Sequence, residues 1–193
     1  MKKINFAVKL LVMEKVFIAF AMLLTMTACN QRQQSGAETS SLTENVMEKI
    51  DTINQQERRE NMKEVQDYLK SSGAFFIATV YGDQPPVRAF GVSEIMTDRL
   101  YIMTGKNKDV YKQMAKNGKF EICALKPSGS EWMRVTGTLV SDETLALKEE
   151  FLERNPSLKS MYKADDDNMA ILYITDGTAR FSSFAGEDRT VKF

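Results

Sequence analysis

The sequence predicts an α+β fold in which short strands form a barrel core and helices flank it. Strand-like runs rich in aromatic and β-branched residues dominate the chain from Ala74 onward. One helical segment separates the third and fourth runs, and others precede the last hairpin. Neither an internal repeat nor a dinucleotide-binding glycine pattern occurs, which argues against a solenoid and against a doubly wound sheet.

The first 28 residues have the pattern of a targeting segment. Lysines come early, an apolar run extends from Val16 to Leu24, and Thr27-Ala28-Cys29 follows. The pattern resembles a bacterial lipoprotein signal peptide, predicted here over 1–28, with Cys29 as the lipidated residue. Met13 is an alternative start. A transmembrane anchor is the competing interpretation, but the apolar run is shorter than the ~20 residues that a span needs. We therefore expect a lipid-anchored membrane protein of the cell envelope.

The segment that follows is predicted to link this anchor to a folded domain. Asn30–Ser40 contains no aromatic or large aliphatic residue, so 29–40 is expected to be a flexible tether. Ser41-Leu42-Thr43-Glu44 matches a capping box and predicts the start of a helical extension over 41–61. Its polar stretch Asn54–Asn61 fits either a continuous helix or a break. The folded domain is predicted over 62–193, opening with a helix whose apolar stripe ends at Leu69.

Strands are predicted next. Ala74–Tyr81 reads as a first strand buried on both faces, and Thr97-Asp98 as the hairpin turn between Val87–Met96 and Leu100–Thr104. A helix capped by Asn107, with Val110 and Met114 inward, should then end at Gly118. The other predicted elements are strands Phe120–Leu125 and Trp132–Ser141, a helix over Asp142–Asn155 with Leu145, Leu147, Phe151 and Leu152 inward, a short helix from Pro156, a final hairpin of Met169–Ile174 and Thr178–Phe184 over Asp176-Gly177, and an extended tail from Thr190.

Composition excludes several kinds of chemistry. The chain has no histidine, which removes Ser-His-Asp and Cys-His catalysis and histidine metal sites. Acidic and basic residues number 26 each, so no charge signal points to nucleic acid. Cys123 is expected to be a buried small hydrophobe. The run Asp165–Asn168 lacks the glycine and distal glutamate of a calcium loop and is predicted to be a solvated turn.

The most informative stretch runs from Pro86 to Gly118. Its second strand opens into Thr104-Gly105-Lys106-Asn107-Lys108 at a helix start, and Arg88 lies on the neighbouring strand. Backbone N–H groups at a helix N-terminus, together with converging cations, are suited to bind a phosphate monoester. The alternatives are an Arg88–Glu94 pair on the sheet and lysines that are ordinary surface charges.

These residues, in the order P-V-R-A-F, L-Y-I-M-T, G-K-N-K-D-V-Y-K-Q-M and E-W-M-R-V-T-G-T, resemble the pyridoxamine 5′-phosphate oxidase family of FMN-binding split barrels. The resemblance covers roughly Met62 to the C-terminus. It implies FMN as cofactor and a homodimer whose site receives residues from the fifth strand of the partner. The family's C-terminal Trp and Arg segment is missing, so the likeness is to the general-stress-type members. The cofactor-binding residues that the resemblance implies are Arg88, Ala89, Phe90, Gly91, Thr104, Lys106, Lys108, Lys112, Glu131 and Trp132.

Two functions are compatible with these features. The first is a flavin-dependent oxidoreductase of unknown substrate, in which the flavin itself carries the hydride chemistry because no acid or base can be assigned. The second is a non-catalytic split-barrel module that carries flavin, haem or a related cofactor.

Overall fold

The computed structural model of the chain describes residues 35–186 and 188–193, with side chains from Thr43 onward. The predicted signal segment and Cys29 lie outside these residues. Residues 51–193 form one compact unit that contains the whole sheet, and the described residues before Asp51 belong to a separate unit. Within the described part, no helix is both long enough and apolar enough to span a membrane.

The described residues form an antiparallel sheet with helices around it. The helices are α1 (Ser35–Ser71), α2 (Asp109–Lys116), α3 (Leu145–Arg154) and a 3-10 turn over Pro156–Ser160. The strands are β1 (Phe75–Thr79), β2 (Val87–Phe90), β3 (Ser93–Met96), β4 (Arg99–Gly105), β5 (Lys119–Leu125), β6 (Glu131–Asp142), β7 (Met169–Ser183) and β8 (Arg189–Lys192). Their order is β2-β1-β5-β6-β7-β4-β3, with β8 added to β7. The sheet curls into the split barrel of the FMN-binding fold, which confirms the predicted fold class.

Two hydrophobic clusters lie on opposite faces of the sheet. The barrel interior packs β1, β5 and β6 against α1, whose Met62, Val65 and Leu69 are buried as predicted. A second cluster lies under α3, where Phe151 and Leu152 are buried. Strand β4 contributes to both clusters because alternate side chains point to opposite faces of a strand, so it is buried on each side.

Helix α1 differs from the prediction at its start. It begins at Ser35, so residues 35–40 are helical rather than a tether, and the capping box at Ser41 does not mark the first turn. No Gly or Pro occurs from Ala37 to Ser71, so nothing in the sequence interrupts the helix. The helix also runs unbroken through Asn54–Asn61, which settles the alternative left open above.

Of the two predicted hairpin turns, the first is confirmed and the second is wrong. Thr97 and Asp98 both have positive φ, 46° and 57°, as a two-residue hairpin turn requires, so this turn is confirmed. The hairpin predicted over Asp176-Gly177 is wrong, because β7 is one strand paired with β6 along its length. Asp176, at φ 52°, instead lies in a bulge where the register shifts between Thr136 and Thr138.

The bulge has a packing role. A Cβ on Gly177 would come within 2.6 Å of the Phe193 ring, and one on Gly137 within 2.7 Å of the Thr175 carbonyl oxygen. The predicted extended tail is strand β8 and ends in Phe193, which is only 4% exposed. The two glycines therefore allow the strands and the Phe193 ring to approach closely.

Side-chain exposure and strand limits differ from the prediction at three further places. Strand β1 is not buried on both faces: Phe75 and Ile77 are inward, whereas Phe76 is 48% exposed. Val87–Met96 is two strands, separated at Gly91-Val92. Leu145 is exposed because it is the first residue of α3, at the rim of the helix–sheet contact.

Candidate functional site

Arg88 lies on β2, at one edge of the sheet, and is held by neutral acceptors. Its Nη1 donates to the Thr79 hydroxyl at 2.6 Å and to the Pro86 carbonyl at 3.0 Å, and its Nη2 donates to Oε1 of Gln113. The alternative Arg88–Glu94 pair does not form. Glu94 is buried and instead accepts from Lys70 at 3.2 Å.

The second part of the site is the turn from β4 into α2. Thr104 and Gly105 end the buried run of β4, and a Cβ on Gly105 would lie 2.9 Å from Oδ1 of Asn107. Asn168 stabilises this turn through two hydrogen bonds. Its backbone carbonyl accepts one from the N–H of Lys106 at 2.6 Å, and its Oδ1 accepts the other from the N–H of Asn107 at 3.1 Å. The cap of α2 is Lys108 in extended conformation, not Asn107, because the Asn107 backbone is bound to Asn168.

Asn168 belongs to the acidic run for which a solvated turn was predicted. Asp166 accepts from the N–H groups of Lys163, Asn168 and Met169, which makes this run a tight local turn. These backbone hydrogen bonds lower the pKa of the Asp166 carboxyl. Within the described ranges, no group of three or more potential metal ligands occurs.

A cavity of about 300 Å³ brings these two parts together. Arg88 and Lys108 contribute its cationic groups, and Thr104 contributes a hydroxyl. The rest is mainly apolar, and its wall is formed by Ala89, Phe90, Gly91, Val92, Met103, Val110, Leu158, Met161 and Tyr162. Arg88, Ala89, Phe90, Gly91, Thr104 and Lys108 of the predicted set thus surround one cavity, although a role of these residues in binding stays a prediction.

The other predicted lysines have different surroundings. Lys106 forms an ion pair with Glu143 at 2.7 Å, and Lys112 pairs with Asp109 at 3.2 Å. Lys112 lines a separate, larger cavity of about 1230 Å³ together with Lys116 and Lys119. That cavity does not include Arg88, Thr104 or Lys108, so the small cavity is the better candidate site despite its size.

Glu131 and Trp132 are not at the small cavity within one chain. Both lie at the start of β6, where Trp132 is opposite Leu125 and its ring packs against Phe184 at 5.1 Å. Cys123 is exposed rather than buried, because it projects from the outer face of β5 while Ile122 and Ala124 point inward. The prediction of a buried thiol is therefore wrong.

Sequence reasoning missed several residues of the site. Gln113 and Thr79 occupy inward positions in otherwise apolar patterns, Val110-Gln113-Met114 on α2 and Phe75-Ile77-Thr79 on β1. A polar residue at a core-facing position is the signal that could have found them. Met161 and Tyr162 gave no such signal, since only the tertiary fold brings the segment after Pro156 to the cavity.

Comparison with solved structures identifies the family. A NimC/NimA family protein from Clostridium acetobutylicum is 40% identical, with a TM-score of 0.69, over 72% of this chain and 96% of that one. The chain belongs to the NimC/NimA family. No protein-family model matches the sequence, and no curated protein is significantly similar to it.

More distant structures share the fold of this NimC/NimA family member. A general stress FMN/FAD binding protein from Xanthomonas citri is 16% identical, with a TM-score of 0.52, over 68% of this chain and 92% of that one. A heme binding protein from Mycobacterium smegmatis is 13% identical, with a TM-score of 0.54, over 68% of this chain and 57% of that one. The structural similarity of these proteins establishes the split-barrel fold. At identities this low it does not identify a ligand of this chain, which must be inferred from the chain's own residues.

The ion pair between Lys106 and Glu143 predicts how the free energy of unfolding depends on pH. Glu143 also accepts from Lys148 at 2.6 Å, and the Lys148 side chain is only 6% exposed. Burial alone would raise the pKa of the Glu143 carboxyl, but the hydrogen bonds from the two lysines outweigh it and lower the pKa. A carboxyl with a lowered pKa stabilises the folded state above its unfolded pKa, about 4.3, and loses that contribution as the pH falls through the folded value.

We expect Glu143→Gln to lower the free energy of unfolding near pH 7 by about 1–2 kcal/mol, toward the low end for a charged hydrogen bond because the Glu143 side chain is 49% exposed. The difference from wild type should shrink as the pH falls below about 4. Urea unfolding between pH 7 and 3 measures it, with Glu149→Gln, at an exposed position on α3, as the control. A difference that stays constant with pH would contradict this role of the carboxylate.

Proposed function

We propose that this NimC/NimA family member binds FMN in the small cavity and is a flavin-dependent oxidoreductase. One observation carries the proposal: two cations from different elements, Arg88 on β2 and Lys108 at the cap of α2, line one otherwise mainly apolar cavity. A flavin mononucleotide has the same division, with an anionic phosphate at one end and a planar apolar ring at the other.

The residues divide naturally between the two ends of this ligand. Arg88 and Lys108 would contact the phosphate, assisted by the N–H groups at the start of α2, a favourable place for an anion. The Thr104 hydroxyl would form a hydrogen bond with the ribityl chain. The ring would lie along Phe90, the last residue of β2, and Gly91, which follows it. Among the described residues, β2 is an edge strand with a neighbouring strand on one side only.

The chemistry would belong to the flavin. Of the side chains at the cavity, only Arg88, Lys108 and Tyr162 are titratable, and none is a carboxylate or a thiol. Bound FMN supplies hydride transfer through its N5 atom, so the chain's role is to bind and orient the flavin and to cover it from water. Reduction of the bound flavin by a nicotinamide donor would support an oxidoreductase, and its absence would support a carrier.

A cofactor carrier is the second candidate, favoured by the absence of a carboxylate or thiol among the described residues that line the cavity. The name of the Mycobacterium smegmatis protein shows that this fold occurs in a protein that binds heme. The chain has no histidine, the commonest axial ligand that such a module would use. An absorption spectrum from the near-ultraviolet to the blue distinguishes flavin from haem.

The central test of FMN binding separates the phosphate from the ring. A charge-assisted contact is worth about 1.5–3 kcal/mol, so Arg88→Ala and Lys108→Ala should each weaken FMN about ten- to a hundredfold. Riboflavin lacks the phosphate, and its binding should change little. Fluorescence-quenching titrations of both ligands measure the difference, with Lys116→Ala as a lysine control on the same helix. Equal losses for FMN and riboflavin would show that the two cations support the fold instead.

We further propose that two copies of the chain form a homodimer that completes the site. A volume of about 300 Å³ is at the lower limit for a cofactor site, which supports a contribution from a second copy. Part of the outer face of the sheet beside the cavity is apolar, and the salt bridge between Arg134 and Glu121 lies next to this part. We call it the outer apolar face, and it consists of Phe76, Val87, Ala89, Cys123, Leu125, Trp132 and Phe184.

The homodimer predicts a specific response to charge on this face. Leu125 is 49% exposed, and a carboxylate there would be buried and unpaired between two copies. Light scattering should show a dimer for wild type and a monomer with weakened FMN binding for Leu125→Glu. Leu145, also 49% exposed but on α3, provides the control Leu145→Glu, which should stay dimeric. A monomeric wild type that binds FMN tightly would contradict the dimer.

We also propose that the chain is a lipid-anchored protein of the cell envelope. The basic start, the apolar run and Thr27-Ala28-Cys29 support this. Cys29→Ser should abolish lipid labelling and leave the precursor at its full length, measured by fatty-acid incorporation and gel mobility. Cys123→Ser is the control and should be processed normally. Unchanged membrane attachment and size for Cys29→Ser would refute the anchor.

A further inference from the structure

Arg88 differs from most arginines of the folded domain in the charge of its partners. Its hydrogen bonds go to a hydroxyl, a backbone carbonyl and an amide oxygen, and no carboxylate pairs with it within the described part of the chain. Other arginines of the domain form ion pairs with Asp or Glu, namely Arg59, Arg134, Arg154, Arg180 and Arg189.

The neutral partners form a closed hydrogen-bond network. Gln113 is 9% exposed and Thr79 only 3%, and the Thr79 hydroxyl donates to Oε1 of Gln113 at 2.7 Å. The same hydroxyl accepts from Nη1 of Arg88, and the same Oε1 accepts from Nη2. Because Arg88 and the Thr79 proton are both donors here, the amide oxygen of Gln113 must face them. The network thus fixes the guanidinium while leaving its charge uncompensated.

We propose that Gln113 and Thr79 are positioning residues that hold Arg88 as an uncompensated cation, which makes the cavity selective for a flavin carrying a phosphate over the same flavin without one. The inference rests on the proposed FMN site. A carboxylate in place of the Gln113 amide would hold Arg88 equally well but would already neutralise it, so the net charge available to a phosphate would be lost. A neutral amide gives orientation without that competition.

The decisive substitution is Gln113→Glu, which keeps the size and one acceptor oxygen, replaces the amide NH2 with a second oxygen and adds a negative charge. We expect it to weaken FMN at least about tenfold, the order of one charge-assisted contact, while riboflavin stays within about twofold. The preference of the protein for FMN over riboflavin should fall accordingly. Gln84→Glu makes the same chemical change at an exposed position on the turn between β1 and β2, which is not among the hydrogen-bond partners of Arg88, and should alter neither affinity.

A second pair of variants tests the network without adding charge. Thr79→Val removes the hydroxyl at nearly constant volume and should weaken FMN about three- to tenfold, again more than riboflavin. Thr79→Ser keeps the hydroxyl and should restore FMN binding to within about twofold of wild type. If Gln113→Glu does not fold, the two Thr79 variants still test the positioning role of the network.

The experiment is a titration of the full-length chain and each variant with FMN and with riboflavin, accompanied by thermal unfolding of the unliganded proteins. Equal losses for the two flavins, or FMN binding unchanged in Gln113→Glu and Thr79→Val, would overturn the positioning role while leaving FMN binding by the protein intact. A wild type that binds neither flavin would instead overturn the proposed function, and this inference with it.

Discussion

The long antiparallel pairing of β6 with β7 is the constraint on which the rest of the structure depends. It runs from Glu131–Ser183 to Asp142–Ile171, and every other strand is attached to one of its two sides. Strands β5, β1 and β2 follow from β6, and strands β4 and β3 follow from β7. Arg88 on β2 and Thr104 on β4 are therefore far apart in the order of the sheet, and they share a cavity because the sheet curls. The bulge between Thr136 and Thr138 bends this central pair, since a bulge increases local twist.

The cations near the start of α2 have distinct electrostatic roles. Lys106 is bound to Glu143, and the hydrogen bond to that carboxylate raises the pKa of the lysine. This pair joins the β4–α2 turn to the segment before α3, so Lys106 supports the turn. Lys108 has no ion pair within the described residues and lies at the cavity with Arg88. Arg88 and Lys108 thus have no carboxylate partner within the described residues, whereas Lys106 is paired with Glu143.

Local signals predicted the fold well where a local cause decides the structure. The turn Thr97-Asp98 follows from dihedral preference, and the burial of Val110 and Met114 on one face of α2 follows from helical spacing. Asp176-Gly177 failed because its hairpin preference is local, whereas the long partner strand β6 keeps both sides of it in one ladder. The exposure of Phe76 and Cys123 could not be foreseen either, because an apolar strand does not reveal which of its faces the helices will cover.

The candidate site shows the same division between local and non-local causes. The grouping of Arg88, Thr104 and Lys108 was available through a family resemblance, which carries tertiary information that spacing alone lacks. Gln113 was visible only as a polar residue on the buried face of α2, and its meaning required knowing that Arg88 lies against it. A buried polar side chain needs a partner, but the sequence does not name the partner.

Edge strand β2 connects the proposed binding site to the proposed dimer. Its Arg88 lies at the cavity, while Val87, 60% exposed, and Ala89 face outward beside Phe76. An exposed edge strand with apolar neighbours invites pairing with another chain unless something covers it. A second copy on the outer apolar face would cover these residues and hold β2 against the flavin. Under the two proposals, FMN binding and dimerisation share one strand, so each would raise the affinity of the other by the same factor.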